Sequence, residues 1–208
     1  MKLLSRLLAI LGALAGWAGL GIQLYILLNG ALGPLGGAWR FLAFFTILMN
    51  IFAACLLTGA IFRPIFSDAR ARLQTAATVY MTIVGAIYVL ILQNLWDPQG
   101  LQLIADVLLH YAAPILAILF WLVGVPKAAL KWSDPVRWTG VPLLYFVYAL
   151  ARAALDGFYA YPFIDVSQLG WPVVIVNAAG MLAVFLIVGL LIVSVGRSIG
   201  RGRAPAAG

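Results

Sequence analysis

Long apolar runs separated by short polar and basic connections set the pattern of this chain. A helix needs about 20 mostly apolar residues to cross a bilayer, and runs of that kind cover residues 4–28, 38–62, 73–94, 101–123, 138–155 and 171–196. The fifth is the least regular. Pro142 falls inside it and Arg152 and Asp156 close it, which predicts a short or kinked helix. The first follows Lys2 and Arg6 and contains Ala13-Leu14-Ala15, the small-residue pattern of a cleavage site, yet its apolar run continues to Leu28. That exceeds the apolar core of a cleaved leader, so the segment reads as a retained helix, with Gly12 and Gly16 spaced for close helix packing. The pattern predicts an all-α integral membrane bundle of six transmembrane helices. Residues 1–196 form one domain and residues 197–208 a basic Gly/Ala-rich tail.

Composition supports the same class. The 208 residues are 65% hydrophobic and 9% charged, and Glu is absent; mean hydropathy is +1.08. These values lie far outside the range of soluble domains. The net charge of +7 has a topological origin. Lys2 and Arg6 precede the first run, Arg63, Arg70 and Arg72 follow the second, Lys127, Lys131 and Arg137 follow the fourth, and Arg197, Arg201 and Arg203 follow the sixth. Thus 11 of the 13 basic residues fall on one side, which the positive-inside rule assigns to the cytoplasm together with both termini. The reading is a multipass cell-membrane protein, in a bacterium the inner membrane. No basic patch interleaved with aromatics suggests a nucleic-acid partner. The single Cys55 argues against a disulfide scaffold, and one His with scattered Asp gives no metal-ligand spacing. Phosphate-cradling and dinucleotide glycine motifs are absent, so no cofactor is expected.

The polar residues that topology leaves unexplained share a depth. Counting about 1.5 Å per residue, Thr46 lies roughly 12 Å below the outer boundary and His110, the only histidine, roughly 13 Å. Asp106 sits one turn above His110 on the same face, and Asn50 one turn below Thr46. Arg40, Asn94, Arg152, Asp156 and Asn177 also fall in the outer half, whereas the inner half holds little beyond Thr58, Thr78 and Ser194. Ionisable groups inside a bilayer are costly and face the bundle interior or a watered cavity, so an Asp and a His on one face imply a polar pocket.

Acyl transfer is the chemistry this set can support, since it needs a nucleophile, a base, an orienter and oxyanion donors. Thr46 is the hydroxyl matched in depth to His110; Asp106 would fix the imidazole. A regular helix has no spare backbone N–H, so side chains are expected to bind the oxyanion, with Asn50 and Asn94 among the candidates. Arg40 or Arg152 would meet a substrate carboxylate, and Asn177 is a further polar candidate. The bland readings concern the same residues. Thr46 can bond back to the Leu42 carbonyl, Asn50 and the Asp106–His110 pair can tether helices, and Arg40 and Arg152 can snorkel to headgroups.

The stretch Phe45-Thr46-Ile47-Leu48-Met49-Asn50, the later Asp106-Val107-Leu108-Leu109-His110-Tyr111-Ala112-Ala113-Pro114, Pro142-Leu143-Leu144-Tyr145 and Tyr161-Pro162-Phe163-Ile164-Asp165 together resemble the androgen-induced protein and androgen-dependent TFPI-regulating protein family, more closely its bacterial six-helix relatives. The resemblance runs from the second helix to the start of the sixth. It implies a multipass membrane hydrolase that cleaves fatty acid esters of hydroxy fatty acids, with Thr46 as nucleophile and His110 as its partner. A lipid or small hydrophobic ester is then the expected substrate, with membrane lipids around it. Two other readings fit the residues: a small transporter or proton relay through Asp106 and His110, and a structural membrane protein whose polar groups only lock helices.

Overall fold

The computed structural model describes residues 3–63, 65 and 67–201. Helices and turns account for the regular structure of these residues, and six helical stretches are long and apolar enough to cross a membrane. The first is α1, Leu3–Leu28. Its glycines let it approach the neighbouring helices closely: a Cβ on Gly12 would come within 2.9 Å of Leu57, and one on Gly16 within 3.1 Å of Ala54.

The second run differs from expectation. In place of one helix over 38–62 there are two, α2 (Gly33–Phe41) and α3 (Phe45–Phe62), separated at Phe44 by extended backbone with φ −94° and ψ 132°. Neither Pro nor Gly occupies the break. Its carbonyls are satisfied from α8 (Gly140–Asp156). Tyr145 donates to Ala43 O at 2.8 Å, Tyr148 to Leu42 O at 3.0 Å, and Arg152 to Trp39 O at 2.6 Å. Backbone groups removed from a helix ladder need such partners when water is excluded.

The third span starts as α4 (Asp68–Ile87), where Ser67 accepts from Arg70 N at the N-cap, and ends in a π turn, Tyr88–Leu92, and a 3₁₀ turn, Gln93–Leu95. The fourth comprises α5 (Leu101–Val107), a π turn at Leu108–Ala112 and α6 (Ala113–Gly124). Pro114 accounts for the second π turn. A proline cannot donate to the carbonyl four residues back, here His110 O, and its ring crowds that oxygen. The helix widens instead, with Ala113 N–H reaching Leu108 O.

The fifth span was expected over 138–155 with a kink at Pro142. It starts earlier, at α7 (Asp134–Trp138), and breaks at Thr139, so Pro142 lies in the first turn of α8, where its missing N–H removes no helical bond. The sixth, α9 (Val166–Arg201), also starts before the expected residue 171. Asp165 caps it, accepting from Ser167 N at 2.9 Å and Gln168 N at 3.2 Å, and Gly170 (φ 73°, ψ 159°) bends it ahead of Pro172. The tail assigned to 197–208 remains helical through Arg201; residues 202–208, with Arg203, and Lys2 lie outside the described residues.

At the end of the bundle where α3 and α6 finish, the cations cover carbonyls that end helices or lie in the connecting segment. Arg70 donates to Gly59 O at 3.3 Å, Arg72 to Ala129 O at 2.9 Å and Arg197 to Leu130 O at 2.7 Å. Lys127, buried, donates to Trp121 O and Val125 O. Between the ends, Phe45, Tyr80 and Phe185 interlock edge-on or tilted at 5.5–6.4 Å, joining α3, α4 and α9.

Candidate functional site

The break between α2 and α3 makes Thr46 a helix-start residue. The first bond of the new ladder runs from Leu48 N to Phe44 O at 3.2 Å, so the N–H groups of Phe45, Thr46 and Ile47 precede it. The positive end of the helix dipole therefore lies at the threonine. This overturns the expectation that backbone donors are lacking here. Thr46 N donates to the Tyr161 hydroxyl at 3.3 Å, and Thr46 Oγ1 lies 3.5 Å from the same oxygen. Among the described residues no hydrogen bond runs from the Thr46 hydroxyl back to Leu42 O, which accepts from Tyr148. Tyr161 lies between the last two spans, and burial pushes its phenol up, partly offset by the contacts from Thr46. It keeps its proton and can donate.

His110 sits in the π turn of the fourth span. Its Nδ1 lies 3.1 Å from Asp106 O and also 3.1 Å from Asp106 Oδ1, which has no hydrogen bond of its own. A carbonyl oxygen only accepts, so these partners assign the proton of neutral His110 to Nδ1 and leave Nε2 as the basic nitrogen. Asp106 is buried and accepts at Oδ2 from the Tyr88 hydroxyl. The Tyr88 ring stacks on the imidazole with centroids 4.0 Å apart and planes 15° apart. Tyr88 opens the π turn of the third span, so two widened helices face each other and clamp the imidazole. Gly85 permits this approach: a Cβ there would stand 3.1 Å from His110 O and 3.3 Å from Pro114.

Two cavities meet at Thr46. A chamber of about 480 Å³ is lined by His110, Asp106, Tyr88, Arg40, Gln23 and Gln102 among others. Gln23 and Gln102 pair reciprocally through their amides, at 2.7 and 3.5 Å, joining α1 to α5. A second chamber of about 270 Å³ is almost wholly apolar, walled by α4, α8 and α9 through residues such as Ile83, Phe146, Met181 and Phe185. Thr46, Leu92 and Tyr161 line both. No hydrogen bond joins Thr46 to His110 among the described residues; they face one cavity.

The remaining candidates separate clearly. Arg40 lines the polar chamber with its guanidinium 3.4 Å above the Phe158 ring, and its buried Nε has no hydrogen-bond partner. Arg152 is consumed. It donates to Tyr148 Oη at 3.0 Å and to Trp39 O, lies 4.0 Å from Asp156 and stacks on Trp39. Asn50 donates to Thr46 O at 2.9 Å and Leu109 O at 3.2 Å, tying α3 to the His110 turn, and lines neither chamber. Asn94 is exposed in the 3₁₀ turn. Asn177 borders the apolar chamber but gives its amide to Phe163 O at 2.9 Å. The sequence allows a Tyr hydroxyl or a Trp indole beside Asn50 and Asn94 as an oxyanion donor but does not single out Tyr88 or Tyr161. The signal was available for Tyr88, which lies several residues inside its span, on the side of Thr46 and His110. Among the described residues no three His, Cys, Asp or Glu side chains gather at one point.

Comparison with known protein families, curated proteins and solved structures finds no match for this chain.

Proposed function

We propose that the protein is an intramembrane threonine hydrolase of lipid-like carboxylic esters. The observation that carries this reading is the position of Thr46 Oγ1. It lies at a helix start, beside a buried phenol, on a cavity that also holds an oriented imidazole.

In the proposed reaction Oγ1 attacks the ester carbonyl while His110 Nε2 takes its proton. Catalytic hydrogen bonds often tighten only once substrate is bound. Asp106, fixed by Tyr88, holds Nδ1–H and stabilises the imidazolium. The Tyr161 O–H and the first N–H groups of α3 are the donors for the oxyanion. Collapse breaks the bond to the alcohol, whose oxygen takes the proton from His110, and leaves an acyl ester on Thr46. Water, deprotonated by the same nitrogen, then releases the acid. A proton relay is a weaker account, because Thr75, Thr78 and Thr82 turn their hydroxyls back onto their own helix carbonyls at 2.8–2.9 Å.

The finer reading follows the sequence. The resemblance to the androgen-induced protein family makes a fatty acid ester of a hydroxy fatty acid the proposed substrate type. Arg40 is the residue proposed to receive its carboxylate, since Arg152 is already paired. The basic end faces the cytoplasm with both termini, and the site opens in the outer half of a cell membrane, the inner membrane in a bacterium. Hydrolysis of a panel of lipid and short-chain esters by the purified protein tests the reading, with active-site labelling by a fluorophosphonate alongside. Turnover and labelling are expected for the wild type and are lost in Thr46→Ala and His110→Ala. Undiminished labelling of Thr46→Ala overturns it.

A further inference from the structure

The two chambers differ in more than polarity. His110, which lines one and not the other, gives direction to any ester bound across Thr46. We infer that the chambers sort the two halves of the substrate. The acyl chain enters the apolar chamber between α4, α8 and α9, and the alcohol half occupies the polar chamber. This rests on the hydrolase reading above.

The direction follows from the proton. When the tetrahedral carbon collapses, the bond to the alcohol oxygen breaks and that oxygen must collect the proton Nε2 took from Thr46. The alcohol oxygen therefore leaves on the imidazole side, in the polar chamber. The Thr46–carbon bond persists in the acyl-enzyme, and the remaining substituent of that carbon, the acyl chain, points the other way. There it meets a wall that is nearly all hydrocarbon and aromatic ring. The single amide on that wall, that of Asn177, already donates to Phe163 O. Tyr161 and Thr46 stand at the junction, where the carbonyl must lie.

Acyl-chain length is then set by α9, and above all by Ala178 and Met181. Each methylene lodged in an apolar site contributes about fourfold to binding, so filling the chamber shortens the preferred chain. The experiment uses purified full-length protein and two ester series. One has a fixed p-nitrophenol alcohol and acyl groups from acetyl to palmitoyl; the other has a fixed acetyl group and alcohols of increasing length. In Ala178→Phe, kcat/KM for octanoyl and longer esters is expected to fall at least tenfold while the acetyl ester stays within twofold. Met181→Trp, a second variant should the first fail to fold, is expected to act alike. The alcohol series should be unmoved in both. If either folded variant shifts the alcohol series and leaves the acyl series intact, the orientation is reversed and the inference falls. If neither series moves, the chamber holds no part of the substrate and it falls likewise. Wild-type turnover that is lost in Thr46→Ala keeps the hydrolase reading standing in both cases. Absence of wild-type turnover on every ester, or turnover surviving in Thr46→Ala, overturns that reading and this one with it.

Discussion

The two ends of the bundle treat polar side chains in opposite ways. At the basic end Arg70, Arg72, Lys127 and Arg197 all donate to backbone carbonyls at helix ends or in the connecting segment, cations near the negative ends of helix dipoles. At the other end Arg40 keeps a buried Nε without a partner, and the Thr46 hydroxyl has only a long contact to Tyr161. The basic residue nitrogen of His110 points away from its Asp106 partners. Arg197 Nε at the basic end is likewise without a partner, so the difference lies in what the incompletely bonded groups face: Arg40, Thr46 and His110 all line one cavity. Burying polar groups with incomplete bonding costs stability, and where such groups line a cavity a bound molecule can complete them, as the proposed function requires.

Four substitutions break this contrast, in descending order of effect. Thr46→Ala is expected to lower ester turnover by at least about a thousandfold with little change in melting temperature, since removal of a triad member acts on the reaction; turnover assays and thermal unfolding of one preparation check both halves. Tyr161→Phe removes one oxyanion donor, for which about a hundredfold in kcat is expected with a smaller change in KM. Lys127→Met tests the opposite end. Carbonyls of buried backbone lose a charged donor, about 1–3 kcal/mol, so unfolding is expected at lower temperature with kcat of the folded fraction unchanged. Arg40→Gln should have the smallest effect, about tenfold and confined to esters carrying a free carboxylate, seen as a rise in KM relative to their methyl esters.

Much of the architecture is legible from hydropathy, because a bilayer demands long apolar runs whatever their packing. The six long helical stretches fall on the six apolar runs, with ends displaced by up to seven residues and the second run broken before Phe45. The break before Thr46 is not legible. Phe41-Leu42-Ala43-Phe44 has no Pro or Gly, and the groups that satisfy its carbonyls come from Tyr145, Tyr148 and Arg152, about a hundred residues later. Nothing local records that partnership. The clustering of Asp106 and His110 was legible from i, i+4 spacing. The π turn is signalled by the equal spacing from His110 to Pro114, since a proline four residues after a carbonyl leaves that carbonyl out of the α ladder. Depth brought Thr46 and His110 to one level. Depth cannot tell a cavity-facing arginine from a paired one, so it leaves Arg40 and Arg152 equivalent, and only their partners separate them.

The π turn at Leu108–Ala112 has a consequence for how this chain tolerates change in length. Such a turn is an α-helix that has absorbed one residue more than its ladder needs. Removing a single residue within it would restore regular winding and leave the two flanking stretches facing as they do now, because the turn has already absorbed that residue. The helix itself would emerge more regular, but a deletion between Asp106 and His110 would set them three residues apart instead of four, and His110 Nδ1 would lose its place opposite the Asp106 carbonyl. The surplus residue thus sets the geometry of the Asp106–His110 pair, and a deletion that looks silent by hydropathy would alter that pair while leaving the rest of the span in place.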